Sequence, residues 1–216
     1  MRARLIAVTR PLPEIGLGDS PEELIVYCGR VSNPSNQLNT STSLGLLSYL
    51  IRHQHWSPFE MVHAVVEIEC PRDIARQVLR HRSFSFQEFS QRYAEVLAFL
   101  RREARRQDRK NRQNSTNDLP RWKRWLWAAM QELVVRVAAG AYSLSLRLDI
   151  AKECARVLLP EGLTPSRVYM SGTIRSFIHY LNVREGNGTQ LEHIELAGLI
   201  REQLAKEFPI CMKTEK

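Results

Sequence analysis

RHRSFSFQEFSQRY, Arg80 to Tyr93, is the stretch from which the rest of the chain is best read. Two permanent cations flank a histidine, and the planar donor fork of arginine matches phosphate and carboxylate oxygens in two-point contacts. Ser90 and Arg92 follow, interleaved with Phe84, Phe86, Phe89 and Tyr93. The run therefore offers donors to a nucleotide phosphate and ring faces to a base or to neighbouring core. Taken singly, such arginines are surface charge and such aromatics are core.

The residues just upstream say what carries this run. From Val62 to Cys70, Ala64, Val66, Ile68 and Cys70 alternate with His63, Glu67 and Glu69, which predicts a strand closed by Pro71. Pro71 can open the helix PRDIARQVLR, with Ile74 and Val78 facing inward and Arg76 and Arg80 on another face. The RHR run starts where that helix stops.

Towards the N-terminus, Arg4 to Thr9 reads as a short strand. Ser20-Pro21-Glu22-Glu23 supplies a cap, a proline at the first helical position and a capping-box glutamate for a helix that ends before Asn33-Pro34. A second helix, Ser43 to His53, carries Leu44, Leu47, Leu50 and Ile51 and runs into the loop HQHWSPFE. Towards the C-terminus, RREARRQDRKNRQN, Arg101 to Asn114, lacks apolar periodicity and reads as a solvated basic arm. Leu119 to Asp149 is the longest helix expected, with Trp122, Trp125, Trp127 and Leu133 assigned to packing, and Ile150 to Leu159 continues or restarts it. Arg167 to Ser171 predicts a strand, and Thr173 a cap for a helix whose Ile174, Phe177, Ile178 and Leu181 share a face. Beyond EGNGT a last helix, Gln190 to Phe208, shows Leu191, Ile194, Ala197 and Leu204 at helical spacing. With no internal repeat or low-complexity linker, one mixed α+β domain over residues 1–216 is expected, richer in helix than strand.

The net charge of +8 favours anionic partners, whether nucleic acid, membrane surface or small phosphorylated ligands. A hydrophobic fraction of 44% with 25% charged residues is that of a soluble globular chain, and no apolar run approaches a membrane span, so no membrane is expected as a partner. The N-terminus lacks a signal-peptide pattern, which predicts a cytoplasmic protein. Cys28, Cys70, Cys154 and Cys211 are too dispersed for a disulfide framework, and Cys28 and Cys154 sit among apolar residues as small buried hydrophobes would. His53, His63 and His193 give no zinc spacing and read as structural or surface residues, so no metal is expected.

The order RHR, seven intervening residues, then Ser is the signature of the flavin-dependent thymidylate synthases, and R-H-R-SFSFQEF-S matches it completely. HQHWSPFE, KECARVLLP and SGTIRSFIHYLNVREGNGTQ resemble further blocks of that family in the expected order, so the resemblance covers most of the chain. It implies a central sheet flanked by long helices. It also implies reductive methylation of dUMP, with methylenetetrahydrofolate giving the carbon, NADPH the reducing equivalents and FAD the hydride relay. Arg80, His81 and Arg82 then match flavin contacts, together with Ser57, Glu88, Arg175, His179 and Thr173. Gln77, Glu88, Phe89, Ser90, Gln91, Arg92 and Arg156 match positions that hold dUMP, which Arg80 also reaches. Arg184 matches the arginine facing the uracil ring, where a guanidinium would stabilise charge developing on the activated pyrimidine. Ser90 and His55 join Arg184 in the catalytic set implied. Ser90 fits ligand positioning better than attack, since a serine hydroxyl is a weak nucleophile without a base.

The sequence departs from the family's common PFEH by carrying Met61 where the histidine stands. The resemblance also implies a homotetramer with shared active sites and no stable nucleic-acid partner. Two other readings compete. A basic nucleic-acid-binding protein would explain the charge between Arg80 and Arg112, and a flavin-free nucleotide transferase would explain the phosphate clamp.

Overall fold

The computed structural model describes residues 1–213, residues 97 and 187 excepted. Its frame is a four-stranded antiparallel sheet in the order β1-β2-β6-β3, formed by β1 (Arg2–Val8), β2 (His63–Pro71), β6 (Pro165–Thr173) and β3 (Ser85–Glu88). Central β2 and β6 pair along their whole length, from His63↔Thr173 to Pro71↔Pro165. The alternation seen in β2 works as expected at Ala64, Val66, Ile68 and Cys70, all buried. Glu67 is buried as well, a departure from the polar face predicted, and Arg4 of β1 meets its carboxylate at 3.1 Å.

The third partner was not legible as a strand. Ser85–Glu88 of the signature pairs with β6 from Ser85↔Ser171 to Glu88↔Val168, so the sheet itself holds the middle of the motif. Phe84 fixes its start, buried against Phe177 at a ring separation of 4.8 Å. Gly172 of β6 makes room for that ring, since a Cβ there would lie 2.4 Å from Phe84 Cδ1. Gly172→Ala is therefore expected to cost about 1–3 kcal/mol through overpacking, read as a lowered midpoint in urea, and to displace the RHR turn that Phe84 anchors.

The helices form where capping and periodicity place them. Ser20 accepts the backbone N–H of Glu23 at the start of α1 (Pro21–Gly29), and α2 (Ser43–Arg52) packs beside it. After β2 comes the short α3 (Arg72–Val78), capped at Pro71. Thr173 accepts the N–H of Ser176 at 3.1 Å and starts α6 (Ile174–Arg184), whose Ile174, Phe177, Ile178 and Leu181 are buried as expected. The last helix, α7 (Leu191–Leu204), is rotated from the face assigned to it. Leu191 is exposed, and the buried stripe is His193, Leu196, Ala197, Ile200 and Leu204.

Three further expectations fail on packing. The basic arm is an ordered hairpin of β4 (Arg106–Gln107) and β5 (Ser115–Thr116), stitched by Arg106 to Asp118 at 2.9 Å and by Arg102 to Asp73 in a two-point contact of 2.7 and 2.9 Å. On α4 (Arg121–Arg147) the core-facing positions are Gln131, Val135, Ala138 and Tyr142, while Trp122, Trp125, Trp127 and Leu133 face solvent, Trp125 being 72% exposed. Cys154, on the short α5 (Lys152–Ala155), is exposed rather than buried, whereas Cys28 is half-buried with its thiol pushed up by burial. Among the described residues no helix is long and apolar enough to cross a membrane.

Candidate active site

The signature folds as a helix end, a turn and a strand. His81 N–H bonds the Val78 carbonyl to close α3, and Ser176 Oγ of α6 donates to the Ser83 carbonyl, so the turn is pinned to the start of α6. Arg80 and Arg82 project from this turn and are exposed, with no carboxylate partner among the described residues. His81 turns inward. Its ring stands edge-on to Tyr180 of α6 at 4.8 Å, and its Nε2 accepts from Arg184 Nε at 2.7 Å.

That bond joins residues 103 positions apart and fixes the protonation state, since Nε2 must carry a lone pair. Burial first, and then the Arg184 charge, hold His81 neutral by lowering its pKa to about 4. Arg184 uses Nε on a neutral acceptor and meets no carboxylate, so both terminal guanidinium nitrogens keep their donors among the described residues. A half-buried arginine aimed in this way is a preorganised anion site.

A second group lies along the outer edge. Arg92 reaches the Glu153 carboxylate of α5 at 3.3 Å, and Arg156 Nε donates to the backbone carbonyl of the same residue at 3.3 Å, so two residues matched to dUMP positions both meet Glu153. Ser90 Oγ accepts the N–H of Arg92 at 3.3 Å, a turn-forming bond, and no base reaches it among the described residues. Gln91 is buried, yet its Nε2 has no hydrogen-bond partner among the described residues, an orphaned donor that an anionic ligand would satisfy. Phe89 is partly exposed beside it. Glu88 points back to the sheet, accepting from Ser166 Oγ at 2.8 Å with Arg72 at 3.7 Å.

A third group forms around HQHWSPFE. Ser57 opens the 3-10 turn Ser57–Glu60 and is exposed, as is His55, whose ring lies 5.9 Å from Tyr49. Trp56 meets His179 of α6 with ring centroids 4.8 Å apart, and burial with the Arg175 charge lowers the His179 pKa. Arg175 is held by Glu60. Met61, the departure from the family pattern, is exposed. Thr173 spends its hydroxyl on the α6 cap, which explains its presence structurally.

Gln77 is half-buried on α3 and bonded to residues at the start of α7, with one N–H and one carbonyl lone pair of its amide left over. Its Nε2 donates to Gln190 Oε1 at 2.7 Å, and its Oε1 lies 3.2 Å from His193 Nδ1. Tyr180 and His193, both buried, thus belong to this neighbourhood although neither was selected from the sequence as a site residue. The available signal was His193 at the head of a stripe with Leu196, Ala197 and Ile200, a titratable group on an apolar face.

Residues 15–210 match the family model described as thymidylate synthase complementing protein. The chain is 52% identical to a probable flavin-dependent thymidylate synthase of Paramecium bursaria Chlorella virus 1, covering 99% of this chain and 98% of the relative. It is 48% identical to the flavin-dependent thymidylate synthase of Synechocystis sp., covering 97% and 96%. The fold is similar to a UMP/dUMP methylase, PolB of Streptomyces cacaoi, whose structure was solved with 5-Br dUMP, at a TM-score of 0.82 and 26% identity over 97% of this chain and 92% of that one. With a family match over most of its length and relatives this similar from end to end, the chain belongs to the flavin-dependent thymidylate synthases.

Proposed function

We propose that this chain converts dUMP to dTMP in the cytoplasm, as one domain, with methylenetetrahydrofolate as carbon donor, NADPH as reductant and FAD as cofactor. The observation that carries the reading is the Arg184–His81 bond, which aims an unneutralised guanidinium from α6 into the turn of the signature.

The donor set fits an anionic dinucleotide and a nucleotide. Arg80, Arg82, Arg175 and His179, with Ser57, would hold the flavin, and Trp56 offers a ring face beside His179. FAD, when bound there, supplies two-electron hydride chemistry. Arg92, Arg156 and the orphaned amide of Gln91 would hold the dUMP phosphate, with Ser90 positioning it through its turn. Arg184 would face the pyrimidine and lower the energy of negative charge on the ring, as a fixed donor in a partly dry site does without reorganising. His81 contributes by staying neutral, so that Arg184 keeps its orientation.

Arg80 and Arg82 of the signature lie open on a single chain, and α4 presents Trp122, Leu126, Met130, Leu133 and Val137 in one exposed stripe. A face of this size supports assembly into a homotetramer whose neighbours complete the sites.

The test is anaerobic incubation of the purified protein with FAD, NADPH, dUMP and methylenetetrahydrofolate. Formation of dTMP is expected, and folded protein that makes none would refute the reading.

A further inference from the structure

Behind the site runs a file of hydrogen bonds whose direction is set at one end. Glu192 of α7, held by Arg105 of the basic arm at 2.5 Å, accepts from Gln190 Nε2 at 2.9 Å. A carboxylate accepts only, so Gln190 must turn its NH2 to Glu192 and its carbonyl to Gln77. Gln77 must then offer Nε2 to Gln190, at 2.7 Å, and its carbonyl to His193. That carbonyl requires a proton on His193 Nδ1, 3.2 Å away. The ring is fully buried and neutral, burial being the main cause of a pKa lowered to about 4, so Nε2 is an acceptor and the Tyr180 hydroxyl donates to it at 3.0 Å. Flipping either amide sets carbonyl against carbonyl or carbonyl against carboxylate. One charge on α7 therefore dictates four hydrogen-bond orientations, ending on the tyrosine whose ring buttresses His81.

We propose that His193 is a positioning residue of the nucleotide site, transmitting the orientation imposed by Glu192 so that Gln77 presents a single hydrogen-bonding face to dUMP. Gln77 would otherwise interconvert between two amide orientations of similar shape and opposite polarity. Only one of these matches a given base or sugar oxygen, so losing the constraint weakens binding. The inference rests on the reading of Gln77 as a contact for dUMP.

Three variants separate orientation from packing. Asparagine can place an N–H near the position of Nδ1 and still donate to Gln77. Glutamine can place its carbonyl near Nε2 and serve Tyr180 while leaving Gln77 unconstrained. Leucine serves neither. His193→Leu and His193→Gln are expected to raise KM for dUMP roughly tenfold with kcat changed far less, the scale of one buried hydrogen bond, whereas His193→Asn recovers most of the loss. Equal KM values in the Asn and Gln variants, or a loss confined to kcat, would overturn the proposal. Should the leucine variant fail to fold, Glu192→Gln removes the charge that orients the file without changing its volume. It is expected to raise KM in the same way, and a KM at the wild-type value would overturn the proposal.

Imidazole nitrogen shifts in the wild-type protein read the file independently of turnover. The Nδ1–H tautomer of His193 is expected, and the Nε2–H tautomer refutes the file. Gln77→Ala with unaltered KM, alongside the expected tautomer, would instead refute the assignment of Gln77 to the nucleotide.

Discussion

Arg184→Ala is expected to lower dTMP formation by on the order of a hundredfold to a thousandfold, the loss that follows removal of one preorganised donor from a developing anion. Flavin should remain bound, because the groups proposed to hold it lie on the RHR turn, on Ser57–Glu60 and at the start of α6, whereas Arg184 closes the other end of that helix. Arg184→Lys should recover little. Lysine keeps the charge but carries no Nε donor to hold against His81 while presenting a second pair of donors forward. The measurement is single-turnover dTMP formation with flavin absorbance recorded on the same sample. Loss of flavin in the alanine variant would mean that Arg184 belongs to the cofactor site, and full activity would remove it from the mechanism.

Acidification is expected to destabilise the fold between pH 6.5 and about 4. His81 and His193 ordinarily titrate at 6.5 and are lowered to about 4 in the folded chain, chiefly by burial and next by the Arg184 charge. Within that window the unfolded chain binds protons that the folded chain refuses, so stability rises with pH, is complete above 6.5 and is lost as the pH falls to 4. For fully buried His193 the loss is on the order of 3 kcal/mol, with His81 adding to it less than independently because the two rings lie 6.4 Å apart. Urea unfolding at pH 7, 6 and 5 checks this. His193→Asn should flatten the slope, and an unchanged slope would exclude His193 as its source. Activity of the folded enzyme should fall only as the pH approaches 4, where His81 takes up a proton and repels the Arg184 donor that it accepts at neutral pH.

Much of this was legible in the sequence, for reasons that differ by element. Ser20 and Thr173 announced their helices because a cap is a local device, settled within three residues. The alternation in β2 was equally plain, since one face of a central strand must be apolar. The strand inside the signature was not. In SFQE its ladder partners lie on β6, some eighty residues away, and Ser85 and Gln87 are exposed, so the run lacks a buried apolar face to mark it. Periodicity showed that the α4 tryptophans share a helix but not what lies against them, which is how exposed rings came to be assigned to a core. The arm failed for the opposite reason. Its order comes from ion pairs such as Arg102 to Asp73, and a list of charges does not say which of them meet.

The site divides in the same way. The matched blocks pointed to Arg80, Arg82, Arg92 and Arg184 through the resemblance alone, while the partners of two of them, His81 for Arg184 and Glu153 for Arg92, became visible only in the fold. His193 read from the sequence as structural or surface and Tyr180 was not singled out, because the bonds that join them to Gln77 are visible only once α3, α6 and α7 are seen together.

The placement of the tryptophans also makes the protein a reporter of its own state. Of its four indoles, Trp122, Trp125 and Trp127 ride on α4 and face water, while Trp56 stands against His179. Intrinsic emission from separate chains will therefore change little on unfolding, since most of the fluorophores are already wet. It should shift to shorter wavelength when copies associate through α4. The remaining indole, beside the proposed flavin position, should be quenched by energy transfer when the cofactor binds, so that one spectrum follows assembly by its wavelength and loading by its intensity.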